Sequence, residues 1–125
     1  MAISLTGPVA ELLVASLNAA TLRHDAIANN IANVNTPGYR MVSVDFETQL
    51  NEVLGTGRYM DDGFLSKSLD DIKPSINRLD REISVNDLDS QMVELTKNTL
   101  HYHTLLKGLQ DYGSINKAAI KEGKN

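Results

Sequence analysis

The sequence predicts a mainly helical protein in which long N- and C-terminal helices pair as an antiparallel coiled coil around a small irregular, β-like insert. Three observations predict it. Apolar residues recur every seven positions at both ends of the 125-residue chain, the spacing that winds two helices into a left-handed seam. Between the ends the period shifts to two and then breaks up among glycines. Charge divides at the same places: residues 1–40 carry two acids and two bases, residues 41–90 eleven acids and five bases, and residues 91–125 three acids and five bases. Near-neutral ends suit close packing, and an acidic middle suits solvent.

The first helix is expected to begin at Pro8, a residue favoured at the first helical position, with Glu11 in the electropositive first turn. Leu13, Ala20, Ile27 and Val34 fall seven apart, and Ala10, Leu17, His24 and Ile31 take the companion positions. The helix end is crowded with Asn29, Asn30, Asn33 and Asn35, whose amides compete for backbone groups and weaken a helix interior. That cost is offset if the amides find partners on neighbouring chains. Thr36-Pro37-Gly38-Tyr39 then forms a turn, because Pro37 presets its own φ and Gly38 takes the positive φ required next.

Past the turn, Met41 to Phe46 alternates and places Val42, Val44 and Phe46 on one face of a short strand. Phe46, Leu50, Val53 and Leu54 follow helical spacing for about two turns. Gly55 to Lys73 reads as turn-rich, with Gly55, Gly57 and Gly63 as punctuation. Ile72 to Ser75 should be extended around Pro74, and Ile83 with Val85 suits another short strand. The last helix starts at an Asn86 or Asp87 cap, with Asp89 in its first turn. Leu88, Leu95, Tyr102 and Leu109 repeat the seven-residue spacing, flanked by Met92, Leu105 and Leu106. The segments are therefore 1–35, 36–85 and 86–125.

Composition bounds what the chain does. It has no tryptophan, two phenylalanines and no cysteine, so large core anchors are scarce and thiolate metal sites and disulfides are excluded. With a net charge of −4, it shows no basic footprint for nucleic acid. Met1 to Leu5 lacks the charged start of a secretory signal, since the first basic residue is Arg23. No apolar run approaches the roughly 18 residues of a membrane span.

The histidines do not make a metal site from sequence. His101 and His103 point to different sides of a helix, and a third ligand would have to come from His24 or a distant acid. His24, at a seam position, reads as an interface residue that could make packing pH-sensitive. Asp61-Asp62 and Asp70-Asp71 read as solvated pairs. No phosphate loop, nucleophile motif or paired-acid motif stands out, so the sequence calls for no enzyme, cofactor or small-molecule substrate. The apolar seams carry the energetic weight. Each helix has more apolar positions than one partner covers, including Leu12, Leu22, Leu100 and Ile115, and each buried side chain is worth roughly 1.5–3 kcal/mol.

The run Asn29 to Tyr39, NNIANVNTPGY, with Ser16 to Ala28 before it, resembles the N-terminal signature of the bacterial flagellar rod, hook and hook-associated proteins. Asn86 to Leu106, with its Asn98-x-Leu100-x-Tyr102 core, resembles the C-terminal helix of the short proximal-rod members of the basal-body rod family. The two segments span roughly a third of the chain. Two positions depart from the family's pattern: Leu79 to Ile83 lacks the expected glycine turn, and Gln91 stands where an acid is usual.

The resemblance implies an axial structural subunit whose terminal helices assemble with copies and kin into a helical tube that transmits torque and walls the export channel. Its implied partners are other flagellar rod subunits, the MS ring and its junction protein, and the flagellar type III export apparatus. The implied location is the basal body in the periplasmic space, reached with an uncleaved N-terminus. Leu13, Leu17, Ala20, Ile27, Asn29, Asn30, Ile31, Asn33, Val34 and Asn35 would form the N-terminal interface. Leu88, Met92, Leu95, Asn98, Tyr102, Leu106 and Leu109 would form the C-terminal one. Phe46-x-x-x-Leu50 resembles the segment that an export gate reads; equally, Phe46 and Leu50 suit the buried face of the short helix. The sibling rod subunit of the adjacent layer and a soluble coiled-coil adaptor or chaperone are the alternatives.

Overall fold

The computed structural model describes residues 7–57, 64–72 and 74–123. Two long helices, α1 (Pro8–Ala32) and α4 (Leu88–Gly123), form the body. Between them lie strand β1 (Arg40–Asp45), short helices α2 (Glu47–Gly55) and α3 (Phe64–Asp71), and strand β2 (Ser75–Glu82). A 3-10 turn, Val85–Asp87, leads into α4.

The helices begin and end as their residues dictate. Pro8 stands at the first position of α1, behind Gly7 at φ 106°. The helix stops at Ala32, two residues short of the expected Val34, because Asn33 to Asn35 tighten into turns. In the final turn Val34 N–H bonds to Ile31 C=O at 3.4 Å. Asp87 stands immediately before α4, and the 3-10 turn leading into it has a cap of its own. Ser84 is the N-cap, and its N–H donates to the Asp87 carboxylate at 2.9 Å. Asp87 thus serves as the acidic third residue of the turn, satisfying a donor that the helix leaves open.

The middle of the chain corrects several expectations. Residues 64–71 form α3 within a stretch that reads as turn-rich, while residues 58–63 lie outside the described residues. Ile72 is not extended; its N–H closes the end of α3 on Ser68 C=O at 3.1 Å. The second strand is Ser75–Glu82. Ile83 follows it as a buried residue outside the strand, and Val85 sits 62% exposed in the 3-10 turn. The misreading has a cause: β2 is exposed at every position, so it lacks the apolar alternation that marks a strand.

β1 and β2 pair antiparallel, with Val42 opposite Arg78 and Arg40 opposite Glu82. Between these pairs the register shifts, so β2 bulges around Leu79 to Arg81. The Arg78 guanidinium fills the gap by donating to Arg40 C=O at 3.3 Å. A charged, bulged strand of this kind discourages pairing with another sheet.

The two long helices run antiparallel: Asn30 meets Gln91, Ala20 meets Asn98, and Leu13 lies beside Gly108. At 1.5 Å per residue α1 is about 37 Å long and α4 about 54 Å. Tyr112 lies beside Gly7 at the start of α1, and α4 continues beyond that point for about 16 Å. Among the described residues the buried apolar side chains are few, and those of α1 are mostly small: Ala10, Ala19, Ala20, Ala26 and Ile27 from α1, then Val44, Phe46, Leu69 and Ile83. The largest side chain below 2% exposure is polar, Asn30.

Candidate functional site

Asn30 ties the insert to the helix pair. Its Nδ2 donates to Val42 C=O at 2.8 Å and to Gln91 Oε1 at 2.9 Å, and its Oδ1 accepts from Val42 N–H at 2.8 Å. One buried amide thereby links α1, β1 and α4. It also covers the outer edge of β1 at Val42, as a neighbouring strand would. Gln91 is 8% exposed, and this pairing is what satisfies its oxygen.

The four asparagines at the helix end divide into two pairs. Asn30 is spent in this clamp. Asn33 closes the helix, its Nδ2 donating to Asn29 C=O at 2.8 Å and its Oδ1 accepting from Thr36 Oγ1 at 3.0 Å. Asn29 and Asn35 are exposed, and their side chains make no hydrogen bond among the described residues. Thr36 to Tyr39 forms a type II turn: Tyr39 N–H bonds to Thr36 C=O at 3.2 Å, with Gly38 at φ 78°. Thr36, Pro37 and Gly38 are exposed and Tyr39 is half-buried. The Arg78 guanidinium lies over the Tyr39 ring at 5.7 Å, within cation–π range.

Ala20, Ile27, Asn30 and Asn98 are buried, while Leu13, Leu17, Ile31, Asn33, Val34, Leu88, Leu95, Leu106 and Leu109 are half-buried. The seam does not run unbroken. His24 is exposed and Tyr102 is 37% exposed, and between them opens a groove of about 290 Å³ lined also by Ala20, Thr21, Asn98, Thr99 and His103. Met92 is 54% exposed; the residue that turns inward there is its neighbour Gln91. The row facing α1 therefore includes Gln91, Asn98, Leu105 and Tyr112, seven apart, beside the predicted row of Leu88, Leu95, Tyr102 and Leu109. That second row was readable from spacing, but its polar members concealed it.

Asn98 is 5% exposed. Its Nδ2 donates to Ala20 C=O at 2.8 Å, and its Oδ1 has no hydrogen-bond partner. An apolar residue would avoid that buried, unsatisfied acceptor.

Arg23 forms a second tie between α1 and the insert that residue spacing does not reveal. Its guanidinium donates to Val44 C=O at 2.9 Å and to the Glu47 carboxylate at 2.7 Å. Partial burial pushes the Glu47 carboxyl up, but hydrogen bonds from Arg23 and from main-chain N–H groups, with the Arg23 charge, bring it below the ordinary value. Arg81 grips Asp87 through two bonds of 2.8 and 2.7 Å. Together with the Ser84 N–H they hold the Asp87 carboxyl well below the usual carboxylate range.

Phe46 is 4% exposed and Leu50 half-buried, so the folded chain encloses Phe46. Among the described residues no group of three or more His, Cys, Asp or Glu side chains is arranged to hold a metal ion. No described helix is long and apolar enough to cross a membrane. Large apolar side chains remain on the outer faces of both long helices: Val9, Val14 and Leu22 on α1, and Val93, Leu100, Ile115 and Ile120 on α4.

Residues 13–40 match the family model described as flagella basal body rod protein. The chain is 30% identical over 102 residues to the flagellar basal body rod protein FlgB of Borrelia hermsii, covering 69% of this chain and 76% of that relative. It is 27% identical over 107 residues to FlgB of Borreliella burgdorferi, covering 71% and 78%. With FlgB of Bacillus subtilis it shares 25% identity over 116 residues, covering 87% and 90%. No solved structure matches the chain.

Proposed function

The chain belongs to the flagellar basal body rod protein family, and from that premise we propose that it builds the rod through the outer faces of its two terminal helices. It is a structural subunit of the flagellar basal-body rod, most like the FlgB proteins, in a family whose role is structural rather than enzymatic. The observation that carries the assembly reading is the distribution of apolar surface. α1 and α4 meet largely through alanines and polar groups, while Leu22, Leu100 and Ile115 face outward at 38%, 63% and 67% exposure. Covering one such side chain in a neighbour's contact is worth roughly 1.5–3 kcal/mol.

In this reading an outward face of one copy packs on a different patch of the next. A heterologous contact that does not close into a ring generates an open helical array. In that array the segments 1–35 and 86–125 act as axial helices, extended by neighbours into coiled-coil seams, and carry torque along a tube whose lumen passes later subunits. Residues 36–85 form an outer insert whose orientation is set by the Asn30 clamp and the Thr36–Tyr39 turn. The partners are other rod subunits, the MS ring and its junction protein, and the type III export apparatus that delivers the chain to the periplasmic space.

Hydrogen exchange on the purified chain tests this reading. Exchange on the outer faces and helix ends that slows on incorporation into basal bodies supports it. Full protection of α1 and α4 in a lone, non-stacking copy favours the soluble adaptor instead. The export segment has its own test, because Phe46 is enclosed once the chain folds and is readable only before. Secretion of Phe46→Ala falls if the gate reads this side chain; normal secretion with impaired folding assigns Phe46 to the core alone.

A further inference from the structure

We propose that Gln91 and Asn98 select the register between α1 and α4. The apolar pattern by itself does not select one. Leu13, Ala20, Ile27 and Val34 on α1 and Leu88, Leu95, Tyr102 and Leu109 on α4 repeat every seven residues. Sliding α4 by seven residues, about 10 Å, lays each seam position on the next and covers similar side chains. Hydrophobic contact is non-directional and separates such registers weakly. Hydrogen bonds inside the seam separate them strongly, because a displaced polar group loses its partner.

The observed register gives each polar residue one hydrogen bond to α1. Gln91 Oε1 lies 2.9 Å from Asn30 Nδ2, and Asn98 Nδ2 lies 2.8 Å from Ala20 C=O. A slide in one direction brings Asn98 opposite Asn30, where its side chain is one methylene too short to take over the Gln91 contact. Gln91 itself then passes the end of α1 at Ala32. The opposite slide carries Gln91 from Asn30 to the level of Arg23, whose guanidinium is already bonded to Val44 and Glu47, and Asn98 from Ala20 towards Leu13. Asn30 then loses its partner on α4. The unpartnered Asn98 Oδ1 fits the same account: the residue gives up stability that leucine would supply and gives directionality in return, as a buried asparagine does in a helical seam.

The chain also holds α4 near its start, where Ile83 N–H bonds to Tyr39 C=O at 2.8 Å. That hold comes from a two-stranded sheet, an element marginal on its own. The polar pair acts further along the seam.

Because the chain has no cysteine, disulfide trapping reads the register directly. Leu13→Cys is combined in separate full-length variants with Gly108→Cys, His101→Cys or Ile115→Cys. The built Cβ of Gly108 lies 3.6 Å from Leu13 Cδ2, so the 13–108 pair reports the observed register and the other two report slides of seven. In the parent background only 13–108 is expected to close. With Gln91→Leu and Asn98→Leu added, 13–101 or 13–115 closes at least several-fold faster than in the parent. Asn98→Leu alone serves as a milder background should the double change aggregate. The proposal is overturned if the leucine variants trap 13–108 alone, if the parent traps slipped pairs as readily, or if the parent traps none.

Discussion

Asn30 holds both main-chain groups of Val42 with a single side-chain amide, through two hydrogen bonds of 2.8 Å. A helix residue thereby does for β1 what an adjacent strand would do, and the same amide reaches Gln91 on α4. The orientation of the insert and the docking of the last helix are therefore set at one point.

Replacing Asn30 with alanine leaves the part-buried Val42 N–H and C=O and the buried Gln91 oxygen without their partner. At about 1–3 kcal/mol for an unsatisfied buried group, the variant should lose about 1–3 kcal/mol, most of it at Gln91. Thermal melts read the loss. Faster amide exchange at Val42 than in α1 would place it at the clamp.

The Arg23 tie should separate into unequal halves. Arg23→Ala deprives Val44 C=O and Glu47 together, with an expected cost of about 1–2 kcal/mol. Glu47→Gln removes only the exposed ion pair, which is worth at most about 1 kcal/mol. Denaturant titration of the two variants tests the order; equal losses would show that Val44 C=O gains nothing from Arg23.

Asp87 predicts an acid-sensitive start to α4. Its carboxyl is held down first by the Arg81 hydrogen bonds and then by the Ser84 N–H. A depressed folded pKa adds stability that is complete above the unfolded value and disappears as pH falls through the folded one. The gap in melting temperature between the parent and Asp87→Asn should be constant near neutrality and begin to close below about pH 4, the ordinary aspartate range. A gap independent of pH down to 2 would remove the carboxylate from this role.

The outer apolar faces should matter to assembly and little to the lone chain. Leu100→Ser and Ile115→Ser change exposed positions, so each should shift monomer stability by no more than about 0.5 kcal/mol. Their incorporation into basal bodies, read by fractionation and by motility in complemented cells, should fall sharply. Full incorporation of the double variant would show that these faces stay wet in the rod.

Much of the architecture is legible in the residues. Pro8, the seven-residue rows and Pro37-Gly38 mark the two helices and the turn, because each acts through local geometry that a neighbouring residue cannot override. β2 is hidden because its side chains are exposed on both faces and its strand is made by pairing with β1. α3 is hidden among residues with the composition of a loop. Within the site, Asn30, Asn33 and Asn98 stand out as costly helix residues, yet sequence gives no hint that Asn30 and Asn33 are spent inside the chain. The roles of Gln91 and Arg23 are hidden for a similar reason: their partners lie 61 and 21 residues away, respectively, with Glu47 a further partner of Arg23.

Spacing along the chain was enough to determine two amphipathic helices, a Pro-Gly turn and the motif shared with flagellar rod proteins. All three rest on interactions within a few residues. The tertiary structure alone decided which row of α4 turns inward, which asparagines remain outside, and where the helix pair opens into a groove. Those outcomes depend on directional hydrogen bonds between distant segments, and a hydrophobic pattern that repeats every seven residues carries no information about direction.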